Sequence, residues 1–443
     1  MDDHTWADFT QTCTDVFDSL RGCTEGTVAD YIPQLAAADP EQFGLSIATV
    51  DGRVFELGDV AQRVCVQSCC KPLLYGAALD ECGEARVARH VGKEPSGSKF
   101  NDFKFDQDGR PFNPLINAGA IMAAALVQPG RTPDTRFQHV MDLWERMVGK
   151  GEAFFDNATY LGEHRTAFRN VALAHLMMES GAFPPHTSID DTLRLYLQAC
   201  SVAVRPRGAA RCAAVLANGG ALPGAGGARV FAPWIVRDVL CVMYSSGMYD
   251  FSGRWSSQVG LPAKSGVSGL VMVVVPNLCG LCIFSPRLDA MGNSVRGVRF
   301  MQKLVQLYQL HIFDTLVMGA TTAKKALRPP LRNSSDELCR ACTTNDIVQL
   351  RALLDGGARP QPDYDSRTPL HVAVDDKAND CALELVARGS SLVARDRWGK
   401  SPLAGAAPGL RAALLARAAA RRAARRAWDA WRAGRAAARQ AEL

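Results

Sequence analysis

Apolar and polar positions along residues 1–320 follow two different periods, which predicts a mixed α/β unit. Short runs rich in Val, Ile and Leu, such as Leu45–Val50 and Leu270–Val275, are typical of buried strands. Between the strands, apolar positions recur every three or four residues, as in helices; these segments are Pro72–Leu79, Ala118–Val127, Val171–Met178, Thr192–Cys200 and Val298–Leu310. The glycine-rich stretch 218–227 predicts a loop.

A second region begins after a Pro- and Ser-containing stretch near residue 328, so we predict a linker over 321–334. Thr368-Pro369-Leu370-His371 opens one helical unit, and Ser401-Pro402-Leu403 opens the next one 33 residues later. That spacing is the ankyrin period. The pattern of 336–354 indicates a helix pair ahead of them. The sequence therefore predicts an all-α stack of about three ankyrin repeats over 335–408.

The charge of the chain is concentrated at its end. The net charge is +5, and residues 411–443 hold nine Arg against Asp429 and Glu442, which is +7 and leaves −2 for the other residues. A near-neutral body excludes a chain-wide, specific nucleic-acid face. The Ala/Arg-rich tail, 409–443, predicts a basic helix. Either this helix is simply solvated or it contacts an anionic surface, such as membrane headgroups or RNA.

Fourteen cysteines follow no regular framework, which indicates reduced thiols in an intracellular protein. The acidic start, residues 1–8, argues against a secretory signal and against an Arg-rich presequence. We therefore predict a cytoplasmic location, with a mitochondrial one as the alternative.

No apolar run reaches the ~18 residues that span a membrane. Two Cys-x-x-Cys pairs, Cys279/Cys282 and Cys339/Cys342, fall in different predicted domains, so we expect no metal site.

Ser68-Cys69-Cys70-Lys71 is the first motif that carries chemistry. At a helix start this spacing places both end residues on one face, where a buried, neutral lysine takes the serine proton. On its own the motif is weak, because a chain of this length contains on the order of one by chance. Lys264-Ser265-Gly266, followed by a buried-type strand, strengthens it. The two motifs together form the constellation of the penicillin-recognising serine enzymes, which favours serine acyl transfer.

Many further segments, in order and spacing, resemble the serine-dependent glutaminases. They are Asp30–Leu35, Val66–Leu73, Gly92–Gly97, Asn113–Ala120, Phe155–Ala158, Leu216–Gly220, Gly247–Asp250, Gly260–Val267 and Met291–Ser294. The ankyrin pattern makes the chain similar to the longer, kidney/liver-type animal members. The resemblance implies an α/β (α+β) catalytic domain over 1–320 with the serine β-lactamase/transpeptidase-like fold. It also implies a homo-oligomer, dimeric or tetrameric, and leaves the repeats free to bind a protein partner.

The resemblance further implies hydrolysis of L-glutamine to L-glutamate and ammonia through a γ-glutamyl ester on Ser68. Lys71 matches the general base, and Tyr249 matches the tyrosine that relays protons. The amides of Ser68 and Val267 match the oxyanion hole. The matching substrate-binding positions are Tyr31, Gln67, Asn117, Glu163, Asn170, Tyr196, Tyr249 and Val267. No metal or organic cofactor is implied.

The chemistry of glutamine supports the same residues independently. Its α-ammonium group needs an acidic partner, for which Glu163 is suitable, and its α-carboxylate needs neutral donors, which Asn and Tyr supply. Two departures from the animal pattern are Gly162, where we expect Ser, and Lys104, where we expect an aromatic residue in the loop 100–105. The second puts inhibitor sensitivity and phosphate-driven assembly in doubt.

Two rival readings remain. A serine hydrolase that acts on another amide, including a β-lactam, is disfavoured by Glu163 and the Tyr/Asn set. A catalytically degenerate, glutaminase-like ankyrin scaffold is disfavoured by the intact set of Ser68, Lys71 and Tyr249.

Overall fold

The computed structural model describes residues 3–97, 101–224, 227–314, 324–325, 327, 334–355, 358, 360–362 and 365–423. The chain divides into two compact units, Met1–Pro330 and Leu331–Leu443. Most of the predicted linker, 321–334, and the last part of the predicted tail helix, 424–443, lie outside the described residues.

The first unit combines two sheets with thirteen α-helices among its described residues. Its strands are β1 Gly44–Thr49, β2 Val54–Gly58, β3 Val64–Cys65, β4 Phe154–Phe155, β5 Val202–Val204, β6 Ala263–Ser265, β7 Leu270–Val275 and β8 Cys279–Phe284. Its helices are α1 Asp3–Asp18, α2 Pro33–Ala36, α3 Lys71–Cys82, α4 Glu84–Val87, α5 Asn117–Leu126, α6 Pro133–Val148, α7 Asn157–Thr166, α8 Phe168–Glu179, α9 Ile189–Cys200, α10 Pro206–Ala217, α11 Pro233–Ser246, α12 Ser252–Gln258 and α13 Val295–Leu307. Two 3₁₀ turns, Gln67–Cys70 and Tyr249–Phe251, complete it.

The larger sheet is antiparallel throughout, with the strand order β2-β1-β8-β7-β6. The predicted strand Leu270–Val275 is confirmed as β7, and β1 begins one residue before the predicted run. Asn277, with a positive φ of 63°, makes the turn that separates β7 from β8. The smaller sheet has the order β3-β5-β4 and leads the chain into the Ser68 segment.

Alternation along the central strands divides the apolar residues between two cores, one on each face of the large sheet. In β7, Val271 and Val273 belong to one core, whereas Met272 and Val274 belong to the other. Helices α1 and α13 supply the first core, and the helices from α3 to α11 supply the second. Both faces of the sheet are therefore buried, which explains why β7 reads as a continuous apolar run.

Helix α10 lies directly on the sheet because small residues meet at the contact. A Cβ added at Gly280 of β8 would come within 2.2 Å of the Ala214 nitrogen and 2.3 Å of the Ala210 oxygen. The Ala-rich face of α10 and the glycine of β8 thus allow an unusually close backbone approach. This packing fixes α10 against the face of the sheet.

The predicted helices are confirmed, with ends displaced by a few residues. For example, α13 begins at Val295 instead of Val298, because the Ser294 hydroxyl caps the helix by accepting a hydrogen bond from the Gly297 amide. The predicted loop 218–227 contains Gly219 and Gly220 with positive φ, although residues 225–226 lie outside the described residues.

The second unit is helical in its described residues. Its helices are α14 Ser334–Thr343, α15 Ile347–Asp355, α16 Pro369–Asp375, α17 Asn379–Arg388, α18 Pro402–Gly405 and α19, residues 408–423. His371 links two successive segments: its Nδ1 accepts from the Thr368 amide at 3.0 Å, and its Nε2 lies 3.2 Å from the Lys400 oxygen. Within the described residues of both units, no helix has the length and apolarity that a membrane crossing requires.

Candidate active site

Ser68 lies where strand β3 passes into the first 3₁₀ turn and then into α3. The Val66 amide donates to the Val202 oxygen at 2.8 Å, which anchors the segment to β5. Gln67 has a positive φ of 47°, a strained backbone conformation that persists only where the surroundings enforce it. Ser68 is partly buried and Lys71 is fully buried, so the segment presents the hydroxyl from a rigid, enclosed position.

The ammonium nitrogen of Lys71 has two fixed oxygen partners. It donates to the Leu115 carbonyl at 3.2 Å and to Asn117 Oδ1 at 2.7 Å. Burial lowers the pKa of Lys71 to about 8. A lysine with this pKa is neutral in a useful fraction of molecules near neutral pH, as a general base must be.

Asn117 connects Lys71 to two further helices. It is the first residue of α5, and its Nδ2 donates to Asn170 Oδ1 on α8 at 2.9 Å. The Tyr196 hydroxyl on α9 donates to Asn117 Oδ1 at 3.3 Å. We call Lys71, Asn117, Asn170 and Tyr196 the lysine cluster. Four separate stretches of sequence thus meet at one amide side chain.

A second group of predicted residues surrounds Glu163 on α7. Its Oε1 accepts from the Tyr31 hydroxyl at 2.6 Å and from Gln67 Nε2 at 3.0 Å. Burial raises the pKa of Glu163, and the two hydrogen bonds act in the opposite direction by holding the ionised form. We call Tyr31, Gln67 and Glu163 the carboxylate cluster. Gln67 and Ser68 are neighbours in sequence, so this cluster adjoins the nucleophile.

Tyr249 lies in the second 3₁₀ turn with a positive φ of 52°. Its hydroxyl interacts with the Ser68 side chain, and burial raises its pKa. Tyr249 lines two cavities. One, of about 390 Å³, is also lined by Asp30, Val267 and Met291, and the other, of about 460 Å³, by Asn113 and Ser245 among others. Either volume is sufficient for a small amino acid.

Val267 follows strand β6, which passes close to the Ser68 segment. A Cβ at Gly266 would lie 2.9 Å from the Val66 oxygen, so only glycine permits this approach without displacement. The Cys69 thiol donates to the Lys264 oxygen at 3.3 Å across the same contact. Among the described residues, the amides of Ser68 and Val267 donate to no backbone carbonyl. Both are therefore available to an oxygen that develops negative charge.

All the site residues predicted from the sequence thus lie in one connected region of the first unit. Three further residues contribute that were not among the predicted site residues. Lys264 is fully buried beside Tyr249, and Asn113 shapes the loop by accepting from the Leu115 amide at 3.0 Å. Gly266 allows the close approach of β6. The Lys-Ser-Gly motif contains Lys264 and Gly266, and the resembling segment Asn113–Ala120 contains Asn113, but no signal in the sequence distinguished Asn113 from the other residues of that segment.

The structure gives no support for a metal centre among the residues that it describes. No three His, Cys, Asp or Glu side chains lie close enough there to hold an ion. Cys279 and Cys282 are buried, free thiols on β8 of the first unit, whereas Cys339 and Cys342 lie on α14 of the second.

Comparison with known proteins agrees with this geometry. The family model described as Glutaminase matches residues 26–313. A glutaminase from Nostoc sp. is 43% identical over 69% of this chain and 90% of its own length. The mitochondrial liver isoform of Rattus norvegicus glutaminase is 39% identical over 89% of this chain and 66% of its own. A solved structure titled as the probable glutaminase ybaS has a TM-score of 0.66 at 30% identity, covering 71% of this chain and 99% of that one.

A mixed α/β fold that holds a partly buried serine beside a buried lysine and a buried tyrosine is typical of the class of enzymes that act through a serine. More particularly, the chain belongs to the glutaminase family, because the family model covers well over half of it. The chain spans 64% to 66% of the length of the animal relatives that it matches.

Proposed function

We propose that this protein hydrolyses L-glutamine to L-glutamate and ammonia. The observation that carries the proposal is the junction of two groups: Ser68 with Lys71 and Tyr249, and beside them the buried, hydrogen-bonded Glu163. The first group suits acyl transfer, and the second suits a free α-amino acid. The names of the relatives point to the same activity.

The α-ammonium group of glutamine binds the Glu163 carboxylate, which Tyr31 and Gln67 hold in place. The α-carboxylate binds the neutral donors of Asn117, Asn170 and Tyr196, and the side chain then extends toward Ser68. This assignment pairs the α-ammonium group with an opposite charge and keeps the α-carboxylate, on the same carbon, away from a second carboxylate. A β-lactam lacks the free α-ammonium group and therefore uses Glu163 poorly.

Acylation begins when neutral Lys71 takes the proton of Ser68 Oγ and the oxygen bonds to the side-chain carbonyl carbon of glutamine. The amides of Ser68 and Val267 hold the oxyanion. The carbon–nitrogen bond then breaks as the proton returns from Lys71 through the Tyr249 hydroxyl to the leaving ammonia. Water next attacks the γ-glutamyl ester and gives its proton to the same pair, and Ser68 Oγ leaves with that proton. No step calls for a metal or cofactor.

We also propose the finer architecture. Residues 1–320 form a serine β-lactamase/transpeptidase-like catalytic domain, 321–334 a linker, 335–408 ankyrin repeats and 409–443 a basic helix. The antiparallel sheet with its Ser68 helix and bordering β6 supports the first assignment. The hydrogen bonds of His371 to Thr368 and Lys400 support the repeats, since they join one unit to the start of the next.

Assembly, partners and compartment are proposals as well. We propose a homo-oligomer, a protein partner for the repeats and an anionic surface for the tail. Light scattering on the full chain tests the homo-oligomer, with a mass of two or four chains expected.

The cellular compartment is a separate proposal. All fourteen cysteines are free, which fits a reducing compartment, and we propose the cytoplasm. Fractionation beside a mitochondrial marker tests this location, because the rat relative is named as mitochondrial.

The deciding experiment measures glutamate and ammonia release by the full chain, with and without inorganic phosphate, beside Ser68→Ala. We expect turnover by the parent and none above background by the variant. Ser46→Ala is the matched control, because Ser46 is a buried serine of β1 that bonds Glu56 at 3.0 Å outside the site. Turnover that persists in Ser68→Ala overturns the nucleophile. A folded parent without turnover favours the scaffold reading instead.

A further inference from the structure

Tyr249 has a backbone conformation that bulky residues seldom adopt. Its φ is 52°, at the start of the 3₁₀ turn Tyr249–Phe251. A strained conformation of this kind persists only where the surrounding contacts enforce it. The reaction described above requires the Tyr249 hydroxyl at Ser68, so the contacts that enforce the turn also determine where that hydroxyl lies.

Backbone hydrogen bonds hold the residues on either side of Tyr249. The Gly247 oxygen accepts from the Ser265 amide at 3.1 Å, and the Met248 oxygen accepts from the Phe251 amide at 3.1 Å. These bonds fix the ends of the turn. Two side chains, from separate parts of the chain, bond the peptide groups between those ends.

Ser252, the first residue of α12, bridges the two sides of Tyr249. It is buried, and its hydroxyl accepts from the Met248 amide at 3.0 Å and donates to the Tyr249 oxygen at 2.7 Å. One hydroxyl thus ties the residue before Tyr249 to the carbonyl of Tyr249 itself. Loss of this hydroxyl would take a partner from two buried backbone groups, which is costly.

Asn293 bonds the same peptide region from the loop that precedes α13. It is fully buried, and its Nδ2 donates to the Met248 oxygen at 3.2 Å. Asp289 fixes this loop, because its Oδ1 accepts from the Asn293 amide at 2.9 Å. A Cβ at Gly292 would lie 3.7 Å from Cε2 of Tyr249, so the loop also lies alongside the ring.

We propose that Ser252 and Asn293 are positioning residues for Tyr249: their hydrogen bonds to the Met248 and Tyr249 backbone enforce the strained turn and so hold the Tyr249 hydroxyl at Ser68. Both side chains bond the backbone of the turn, and each acts through Tyr249. The inference rests on the proposed function for its consequence in catalysis. The place of the hydroxyl is a property of the free protein and can be measured without turnover.

The first test replaces Ser252 by Ala. Proton relay through Tyr249 supplies part of the acid–base contribution, so kcat for glutamine should fall about tenfold. KM should stay within about twofold, because the carboxylate cluster that recognises the substrate is unchanged. Ser256→Ala is the matched control: on the same helix, its hydroxyl donates to the Tyr244 oxygen at 2.9 Å. A kcat that falls no further in Ser252→Ala than in this control overturns the role of Ser252.

Asn293→Leu tests the second residue, because leucine has a similar shape but lacks the Nδ2 donor. A fall in kcat of about tenfold at nearly constant KM is expected again. Asn218→Leu is the control, since Asn218 is also buried and its Nδ2 donates to the backbone oxygens of Ala221 and Leu222. An equal loss of kcat in Asn293→Leu and Asn218→Leu would mean that Asn293 only stabilises the fold.

A double-mutant cycle with Tyr249→Phe separates positioning from general damage. If Ser252 acts through the Tyr249 hydroxyl, Ser252→Ala lowers kcat by less than about twofold once that hydroxyl is gone. A general structural effect instead recurs in full in the Tyr249→Phe background, and that result overturns the proposal. The same cycle applies to Asn293→Leu.

Crystal structures of the variants need no turnover and decide the question where Tyr249→Phe is too slow to measure. In Ser252→Ala and in Asn293→Leu, we expect the Tyr249 hydroxyl displaced from Ser68 or divided between two conformers. A hydroxyl that stays within hydrogen-bond distance of Ser68 Oγ overturns the role of the residue replaced. Should Ser252→Ala fail to fold, Ser252→Cys takes its place. A parent without glutamine turnover refutes the proposed function, whereas the structures still decide what holds Tyr249.

Discussion

The carboxylate cluster and the lysine cluster each surround one buried ionisable group, but with opposite kinds of hydrogen-bond partner. Glu163 accepts from a phenol and an amide nitrogen, and both donors favour its ionised form. Lys71 donates to a carbonyl and an amide oxygen, and burial nevertheless lowers its pKa to about 8. The hydrogen bonds of the first environment offset part of the burial that raises the pKa of Glu163, whereas in the second environment burial makes the charge of Lys71 easy to lose.

This difference explains how one region of the protein serves both substrate recognition and proton transfer. Recognition of an α-ammonium group requires a permanent negative charge, so Glu163 needs donors that offset its burial. Proton transfer requires a group that changes state near the working pH, so burial of Lys71 is itself useful. Substitution of Lys71 should therefore lower kcat, and substitutions in the carboxylate cluster should raise KM.

The largest effect is expected when Lys71 is replaced by Met. Removal of the general base lowers kcat by about 10³-fold, within the range for acid–base catalysis, while the affinity for glutamate changes little. Stopped ammonia assays and calorimetry of glutamate binding measure the two quantities. Lys93→Met is the control, because Lys93 bridges Glu84 and Asp238 away from the reacting groups. A variant that retains a tenth of parental kcat contradicts the assignment.

A smaller effect, mainly on KM, is expected for Glu163→Gln. The amide keeps the shape and an acceptor oxygen but loses the charge, so KM for glutamine rises roughly 10- to 100-fold while kcat stays within a few-fold. In the parent, KM also rises as pH falls, because protonation of Glu163 removes the charge that binds the ammonium group. The variant has no such acid-side rise in KM.

Steady-state kinetics across pH measure both parts of this prediction. Glu152→Gln is the matched control, since Glu152 forms an exposed pair with Arg205 outside the site. A drop in kcat at unchanged KM would place Glu163 among the reacting groups instead.

Much of the site and of its surrounding fold was predicted from the sequence, for identifiable reasons. Ser68 and Lys71 are three residues apart, so helical geometry alone brings them together. The strand Leu270–Val275 follows from its composition. The other members of each cluster were predicted from the family resemblance. Residues such as Gln67 and Glu163 meet only through the tertiary fold, so their spacing in the sequence does not show that they are neighbours.

What could not be predicted depends on contacts between distant segments. The buried contacts of Lys264 are with the Gly247 oxygen and the Tyr249 ring, and sequence periodicity does not say whether a lysine on an edge strand faces inward. Asn113 acts by binding backbone amides inside a loop, a function that leaves no periodic signal. The pairing of Asn117 with Asn170 and Tyr196 likewise requires three helices to be in place.

The smallest effect is expected for a change that removes a single contact within the carboxylate cluster. Tyr31→Phe removes the 2.6 Å hydrogen bond to Glu163. The Tyr31 side chain is half exposed, so water replaces part of the bond, and KM should rise only about fivefold. The pKa of Glu163 should rise further, because that hydrogen bond lowers it. The acid-side increase in KM then begins at higher pH than in the parent.

A double-mutant cycle separates this account from a simple contact between Tyr31 and substrate. If Tyr31 acts by holding the Glu163 carboxylate, its removal has little further effect once Glu163 is already Gln, so the two changes are far from additive. If Tyr31 binds glutamine directly, the fivefold loss recurs in the Glu163→Gln background. The KM values of the parent, both single variants and the double variant decide between them, and additive changes would mean that the charge of Glu163 does not depend on its phenol donor.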